Sequence, residues 1–264
     1  MVRRRHSRRK SKNAGKIWLF LSIAIASGLA IWFYSDIIDI FSSSRQRSDD
    51  YSTFKKSLKD YTVFGIDVSQ YQGIIDWSKL KKEEKPDFVI IRATAGKDNK
   101  DNRFDKNWKA AGEQEILRGA YHYYRPDENS AEQANFFIKN VKLNEGDLPP
   151  VLDIEKYSRV QSLTSLKTGL LNWLKIVEEH YDVTPILYTY NKFYTSTIIH
   201  DERFDKYPLW IAWYNVNGNP DDITSNWVFW QFSDKGRVKG IEGDVDLNVF
   251  NGKVQDLDGL RIRD

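Results

Sequence analysis

Two carboxylic acids close a short apolar run near the middle of the chain, in the segment Leu148-Pro149-Pro150-Val151-Leu152-Asp153-Ile154-Glu155. The run predicts a strand over Val151–Glu155 that is buried on both faces, as in a parallel sheet. Because side chains alternate along a strand, Asp153 and Glu155 would point the same way, with Cα atoms about 6.6 Å apart. Like-charge repulsion and burial would raise their pKa values and give the acid and base that glycoside hydrolysis uses. The alternative is a strand end that runs into a solvated acidic loop.

Apolar runs alternate with helical segments from Tyr61 onward, which predicts βαβ units and a parallel sheet. The predicted strands are Val63–Val68, Phe88–Thr94, Gly119–Tyr124, Val151–Glu155, Pro185–Tyr190, Leu209–Trp213, Val228–Phe232 and Val245–Val249. The predicted helices are Trp77–Glu84, Phe104–Glu115, Ala131–Val141, Leu163–His180 and a short one near Lys192–Thr197. About eight strands with few helices after the fifth predict an α/β fold, an irregular (β/α) barrel with fewer helices than a regular TIM barrel.

Barrel enzymes carry their chemistry at the carboxyl-terminal ends of the strands, and acids and aromatic residues gather there in this sequence. The candidate catalytic residues are Asp67, Asp153, Glu155 and Asp246. Four carboxylates converging on one rim are harder to explain as solvated surface than any one of them, although Asp244 could take the place of Asp246. The candidate substrate-binding residues are Tyr121, Tyr123, Tyr188 and Trp213, which are sugar platforms or core, and Gln231.

The amino-acid usage excludes several kinds of site. The chain has no cysteine, so disulfides and cysteine-based metal sites or nucleophiles are excluded. The four histidines, at positions 6, 122, 180 and 200, are too scattered for a metal site. Strand alternation turns His122 away from the face of Tyr121 and Tyr123, so we expect it to be structural. We therefore expect no metal and no cofactor, and we expect a monomer.

The N-terminal residues differ in character from the rest. Residues 1–16 contain eight Arg or Lys and no acid, while the whole chain has a net charge of only +3, so we expect no nucleic-acid binding by the remainder. Residues 17–35 hold an uncharged run that would span about 27 Å as a helix. This predicts a single-pass membrane anchor with a cytoplasmic N-terminus, a linker over 36–60 and a periplasmic or extracellular catalytic domain over 61–264. A cleaved signal peptide and a core helix are the alternatives.

A series of short motifs runs through about residues 61–251. They are Gly65-Ile66-Asp67-Val68-Ser69-Gln70-Tyr71-Gln72-Gly73-Ile74-Ile75-Asp76-Trp77, Ile91-Arg92-Ala93-Thr94, Gly119-Ala120-Tyr121-His122-Tyr123, Leu152-Asp153-Ile154-Glu155, Leu209-Trp210-Ile211-Ala212-Trp213-Tyr214, Trp230-Gln231-Phe232 and Val245-Asp246-Leu247-Asn248. In content and order they resemble the family 25 glycoside hydrolases, the lysozyme family that includes bacterial and phage muramidases. Ala95 departs from the family's pattern, which often has an acid at that position.

The resemblance implies hydrolysis of the β-1,4 bond between N-acetylmuramic acid and N-acetylglucosamine in peptidoglycan. By similarity, Glu155 would be the general acid and Asp153 would assist the substrate's N-acetyl group. Asp67 and Asp246 match two further acidic positions of the active site. Attack on the anomeric carbon by the substrate's own acetamido group and attack by a carboxylate both stay open.

Two other functions are compatible with the sequence. One is a peptidoglycan-binding module that kept the cleft and lost turnover, although the presence of all four acids argues against it. The other is a hydrolase of another N-acetylated glycan such as chitin. Release of new reducing ends separates an enzyme from a binding module, and comparison of chitin with peptidoglycan separates the two enzymes.

Overall fold

The computed structural model describes residues 50–214, 219–224 and 226–263. In this part of the chain nine strands form one sheet. The strands are β1 (Phe64–Val68), β2 (Phe88–Ala95), β3 (Asn99–Lys100), β4 (Leu117–Tyr123), β5 (Val151–Asp153), β6 (Ile186–Tyr190), β7 (Leu209–Ala212), β8 (Trp227–Gly236) and β9 (Val245–Phe250). Eight of them close into a barrel, because β1 pairs with both β2 and β9.

The barrel is irregular in the way its last strand joins it. Neighbouring strands from β1 through β2, β4, β5, β6, β7 and β8 are parallel. Strand β9 closes the ring and runs antiparallel to both β8 and β1. Strand β3 lies outside the ring and forms a short antiparallel extension on the end of β2. The predicted α/β barrel of about eight strands is therefore confirmed.

Helices fill the connections mainly in the first two thirds of the described chain. They are α1 (Tyr51–Ser57), α2 (Trp77–Glu83), α3 (Phe104–Glu113), α4 (Ser130–Asn140), α5 (Leu163–Tyr181), the single turn α6 (Asn191–Phe193) and α7 (Val254–Asp258). Within the described ranges no helix combines the length and the apolar character that crossing a membrane requires. The predicted tail (1–16) and membrane anchor (17–35) lie outside the described residues, as does the predicted linker up to residue 49.

Helix α5 shows how local sequence sets one of these elements. Ser162 caps its first turn by accepting a hydrogen bond from the Ser165 amide at 3.1 Å, which satisfies an otherwise unpaired N–H group. Its buried residues recur with helical spacing: Leu166, Leu170, Trp173, Leu174 and Val177. This apolar stripe packs against the outside of the barrel wall, so the helix is held by burial as well as by its cap.

The barrel wall has two apolar faces, as expected for strands buried on both sides. On β2, Phe88 and Ile90 belong to the interior cluster, whereas Val89 and Ile91 belong to the cluster that packs against the helices. The rings of Phe88 and Phe229, from strands that are not neighbours, lie 4.9 Å apart across the interior. Apolar side chains thus fill the barrel interior toward the end where the parallel strands begin. The carboxyl-terminal end of these strands is left for polar groups.

The start of the described chain packs onto this barrel. Tyr51 in α1 is fully buried, and its backbone N–H donates to the carbonyl of Arg237 at 3.0 Å. The rings of Phe54 and Phe232 lie 5.4 Å apart. The folded unit therefore includes residues from about 50 to 60, which the sequence analysis placed in the linker.

Candidate active site

The four candidate acids come together at the end of the barrel where the parallel strands finish. Asp67 lies near the end of β1, Asp153 is the last residue of β5, and Glu155 follows two residues later. Asp246 lies at the start of the antiparallel strand β9, which begins at this same end. All four line one inner lobe of a cleft, with a volume of about 210 Å³.

Asp67 and Asp246 form a hydrogen-bonded pair. They are directly opposite each other in the β1–β9 register and their carboxyl groups bond to each other. Two charges in this position would repel strongly, so one group holds a proton. Burial raises the pKa of Asp246 first, and the charge of Asp67 raises it further. Asp246 is therefore the protonated member and donates to Asp67.

Two amides keep Asp67 in its charged form. Its Oδ2 accepts hydrogen bonds from Gln231 Nε2 and Asn248 Nδ2, both at 2.8 Å. Burial raises the pKa of Asp67, and these two bonds oppose that rise because they favour the carboxylate. A buried negative charge is thus fixed on the floor of the inner lobe.

The amides themselves are oriented by aromatic donors. Gln231 Oε1 accepts from the hydroxyl groups of Tyr188 at 2.8 Å and Tyr214 at 2.5 Å. Asn248 Oδ1 accepts from Trp210 Nε1 at 2.9 Å. With each amide oxygen occupied, the NH₂ groups face Asp67, so the network sets the direction of every donor around that carboxylate.

Asp153 and Glu155 have fewer partners. Asp153 is 5% exposed, and in the described part of the chain its Oδ1 has no hydrogen-bond partner. Burial raises the pKa of Asp153 well above its usual range, and the charges of Glu155 and Asp67 add to this. Glu155 is half-buried; burial raises its pKa, Lys156 lowers it and Asp67 raises it. Both side chains line the inner lobe, and burial favours the protonated form of each.

The cleft continues into an outer lobe of about 410 Å³. Tyr121, Asp153, Glu155 and Asp246 line both lobes, so the two spaces meet at these residues. The outer lobe adds mainly polar and aromatic residues, namely Val68, Ser69, Gln70, Tyr71, Gln72, Arg92, Ala95, Asn99, Tyr123, Arg125 and Lys156. The whole cleft therefore has room for a chain of sugars, with the acids at its narrow end.

Four of the five predicted substrate-binding residues line the cleft. Tyr121 lines both lobes, Tyr123 the outer lobe, and Tyr188 and Gln231 the inner lobe. Trp213 packs against the hydrophobic cluster outside the barrel wall, and among the described residues that line the two lobes it does not appear. Ala95, where the sequence departs from the family's pattern, lines the outer lobe.

Sequence reasoning missed several residues of this site. Trp210, Tyr214 and Asn248 support Asp67 through the amide network, and Arg92 and Lys156 line the outer lobe. Side chains two positions apart on a strand point to the same face, so alternation could have found three of these residues. Asn248 lies two residues from Asp246 and so shares its face. Trp210, Ala212 and Tyr214 alternate onto one face, opposite to that of Trp213.

His122 has the structural role that alternation predicted. It is fully buried, with Nδ1 at 2.7 Å from Thr94 Oγ1 and Nε2 at 3.2 Å from Gln133 Oε1, and its ring stacks on Trp173. Burial lowers the pKa of His122 to about 3, so its imidazole is neutral at neutral pH. Over the described ranges no group of three or more His, Cys, Asp or Glu is arranged to hold a metal ion.

An α/β barrel with several carboxylic acids clustered at its rim is typical of enzymes that hydrolyse glycosidic bonds. Comparison with known proteins makes the class specific. The model of the glycosyl hydrolases family 25 matches residues 66–241, and the chain belongs to this family.

The relatives share most of the described domain. The uncharacterized protein YegX of Escherichia coli (strain K12) is 40% identical over 209 residues, which is 76% of this chain and 75% of that protein. Lysozyme M1 of Streptomyces globisporus is 36% identical over 207 residues, 74% of this chain and 70% of that protein. A solved family 25 glycosyl hydrolase from Bacillus anthracis is 32% identical, with a TM-score of 0.70 over 76% of this chain and 94% of the other.

The chain is therefore a glycoside hydrolase of the lysozyme type, and the family that the motifs predicted is confirmed.

Proposed function

We propose that this protein is an N-acetylmuramidase that cleaves the β-1,4 bond between N-acetylmuramic acid and N-acetylglucosamine in peptidoglycan. The observation that carries the proposal is the convergence of Asp67, Asp153, Glu155 and Asp246 on one lobe of the cleft. Membership of the family gives the reaction class, and this lobe supplies its acids.

In this proposal Glu155 is the general acid. Burial raises its pKa, which favours the protonated form, and its half-buried side chain lines both lobes. The proton passes to the leaving glycosidic oxygen as the bond from that oxygen to the anomeric carbon breaks. The fixed charge of Asp67 favours the positive charge that develops on the sugar ring.

Asp153 assists the acetamido group of the muramic residue. Its side chain lines both lobes, and a carboxylate oxygen there is suited to accept the acetamido N–H. The acetamido oxygen then attacks the anomeric carbon and forms a cyclic oxazolinium ion. Water opens this ion at the same carbon and gives a proton to the Glu155 carboxylate, which restores both the acid and the acetamide. A direct attack by a carboxylate is the competing route, and a substrate without the acetyl group separates the two.

The test uses the full-length chain and purified peptidoglycan, with mass spectrometry of the soluble products. We expect new reducing ends on muramic acid, a loss of activity of at least about 10³-fold in Glu155→Gln, and little cleavage of de-N-acetylated glycan. Circular dichroism checks that the variant is folded. New reducing ends on N-acetylglucosamine, equal cleavage of chitin, or full activity of Glu155→Gln would each contradict the proposal.

We also propose that residues 17–35 anchor the protein in a membrane, with residues 1–16 in the cytoplasm and a monomeric hydrolase domain in the periplasm or outside the cell. The support is the uncharged run Ile17–Tyr34 behind a basic cluster. Alkaline extraction of cell membranes, with proteolysis of intact spheroplasts, tests the anchor and its direction. Recovery of a full-length chain in the soluble fraction would contradict it.

A further inference from the structure

Charge is distributed unevenly between the two lobes of the cleft. The described residues that line the inner lobe include four carboxylic acids and no Lys or Arg. The outer lobe is lined by three cations, Arg92, Arg125 and Lys156. A neutral sugar chain has no need of these cations, so their partners within the protein decide whether they are free to bind an anion.

Arg92 is held rigidly and keeps its terminal nitrogens free. Its Nε donates to Asp101 Oδ2 at 2.9 Å, and its guanidinium lies 4.6 Å from the centroid of the Tyr71 ring, which is itself 77% exposed. The Asp101 carboxylate also accepts the backbone N–H groups of Gln70 and Arg103. Among the described residues nothing accepts a hydrogen bond from either terminal nitrogen of Arg92. These nitrogens form a fork suited to a carboxylate.

Lys156 is the second cation without a carboxylate partner. Its Nζ lies 5.6 Å from the centroid of the Tyr123 ring, and its charge lowers the pKa of the neighbouring Glu155. Within the described ranges no Asp or Glu oxygen comes within 4.0 Å of it. Arg125 differs, because its Nη1 already pairs with Asp98 at 3.3 Å and Glu128 at 3.1 Å. Arg92 and Lys156 are thus the two cations available to a ligand.

We propose that Arg92 and Lys156 form a subsite for a carboxylate carried by the peptide stem of the substrate. The inference rests on the proposed function, since peptidoglycan is a glycan with acidic peptides attached to its sugars. Because Glu155 lines both lobes, a glycan whose scissile bond lies at Glu155 presents neighbouring substituents to the outer lobe. The subsite makes the enzyme prefer glycan that still bears peptides.

The test measures binding to the full-length Glu155→Gln variant, in which cleavage is blocked. Three soluble ligands are compared by calorimetry: a disaccharide with its peptide, the same compound with amidated stem carboxylates, and the disaccharide without peptide whose lactyl carboxylate is also amidated. We expect the first to bind about tenfold more tightly than the other two, with a smaller difference at high salt. Adding Lys156→Gln should remove most of this preference, Lys156→Arg should keep it, and the exposed Lys142→Gln, outside both lobes, is the matched control.

Each outcome separates this proposal from the proposed function. Equal affinities for the three ligands, no binding by any of them, or a preference that survives amidation would overturn the carboxylate subsite. Release of reducing ends by the wild-type chain is measured independently. A binding preference without any cleavage would keep the subsite and overturn the muramidase. Cleavage with equal affinities for the three ligands would keep the muramidase and overturn the subsite.

Discussion

At the scale of single residues, the charge of Asp67 is set by its neighbours rather than by its own chemistry. Burial raises the pKa of Asp67, while the amide hydrogen bonds from Asn248 and Gln231 lower it. The hydrogen bond that protonated Asp246 donates lowers the pKa of Asp67 further. In the proposed mechanism the active form needs an ionised Asp67, so its pKa would contribute to the acidic side of the pH profile.

Asn248→Leu should shift that side of the profile upward. The variant loses one hydrogen bond to a charged group, so the pKa of Asp67 rises and activity is lost at a higher pH as the solution is acidified. We expect a shift of about one pH unit in kcat/KM. Asn172→Leu, which removes an exposed amide on α5, is the control. An unchanged acidic limb in Asn248→Leu would show that Asp67 is not part of the profile.

Asp246→Asn should be more stable than wild type, and increasingly so as pH rises. Burial and the charge of Asp67 raise the folded-state pKa of Asp246 above its unfolded value. Between the two values the unfolded chain releases a proton that the folded protein keeps, so wild-type stability falls as pH rises through this window. Asparagine does not ionise, and its amide can still donate to Asp67.

Thermal unfolding from pH 4 to pH 8 checks this expectation. The gain in Asp246→Asn should be near zero at pH 4 and at least about 1 kcal/mol at pH 7, equivalent to one pKa unit. A gain that stayed constant across this range would mean that Asp246 titrates alike in the folded and unfolded chains.

At the scale of elements, the barrel interior depends on a small residue in β1. A Cβ atom at Gly65 would lie 2.4 Å from the Phe88 ring, well inside contact distance. Since Phe88 fills the interior between β2 and β8, the ring cannot move without opening a cavity. Glycine at position 65 thus leaves room for the Phe88 ring beside β1. Asp67 is two residues further along the strand, on the same face.

Gly65→Ala should lower the free energy of unfolding by about 1–3 kcal/mol through overpacking. Urea unfolding measures the loss. The double variant Gly65→Ala/Phe88→Leu should lose less than the sum of the two single variants, because the smaller side chain makes room for the methyl group. Strict additivity would show that the two residues do not compete for the same space.

At the scale of the whole molecule, the folded unit begins before the motifs that identify the family. Helix α1 buries Tyr51, and Asp50 and Tyr51 contact the backbone of Arg237 beyond β8. A chain that starts at residue 61 lacks this helix, whereas one that starts at residue 49 keeps it.

The chain that starts at residue 61 should be less stable than the one that starts at residue 49. Loss of the buried Tyr51 side chain should lower the free energy of unfolding by about 2 kcal/mol. Differential scanning calorimetry of the two truncated chains at one pH measures the difference. Equal melting temperatures would show that α1 adds nothing to the barrel.

The sequence by itself determined the helices and strands and indicated which acids lie at the carboxyl-terminal rim of the barrel. Apolar runs and helical spacing are local properties, so the predicted strands and helices agree with the observed ones to within a few residues at most ends. Asp153 and Glu155 line the same lobe, and Asp67 lies near the end of β1. Strand β5 ends at Asp153, two residues before the predicted end, yet Glu155 still lines the cleft. The short strand β3 carried no apolar pattern and was missed.

The tertiary structure decided which groups meet. The register of β9 against β1 places Asp246 opposite Asp67, and that of β8 against β9 places Gln231 opposite Asn248. Beyond the end of β7, Tyr214 reaches this network while Trp213 packs outside the barrel. Barrel closure brings Asp67 to residues more than a hundred positions away, so these contacts depend on the global minimum of packing and hydrogen bonding, which no local pattern contains.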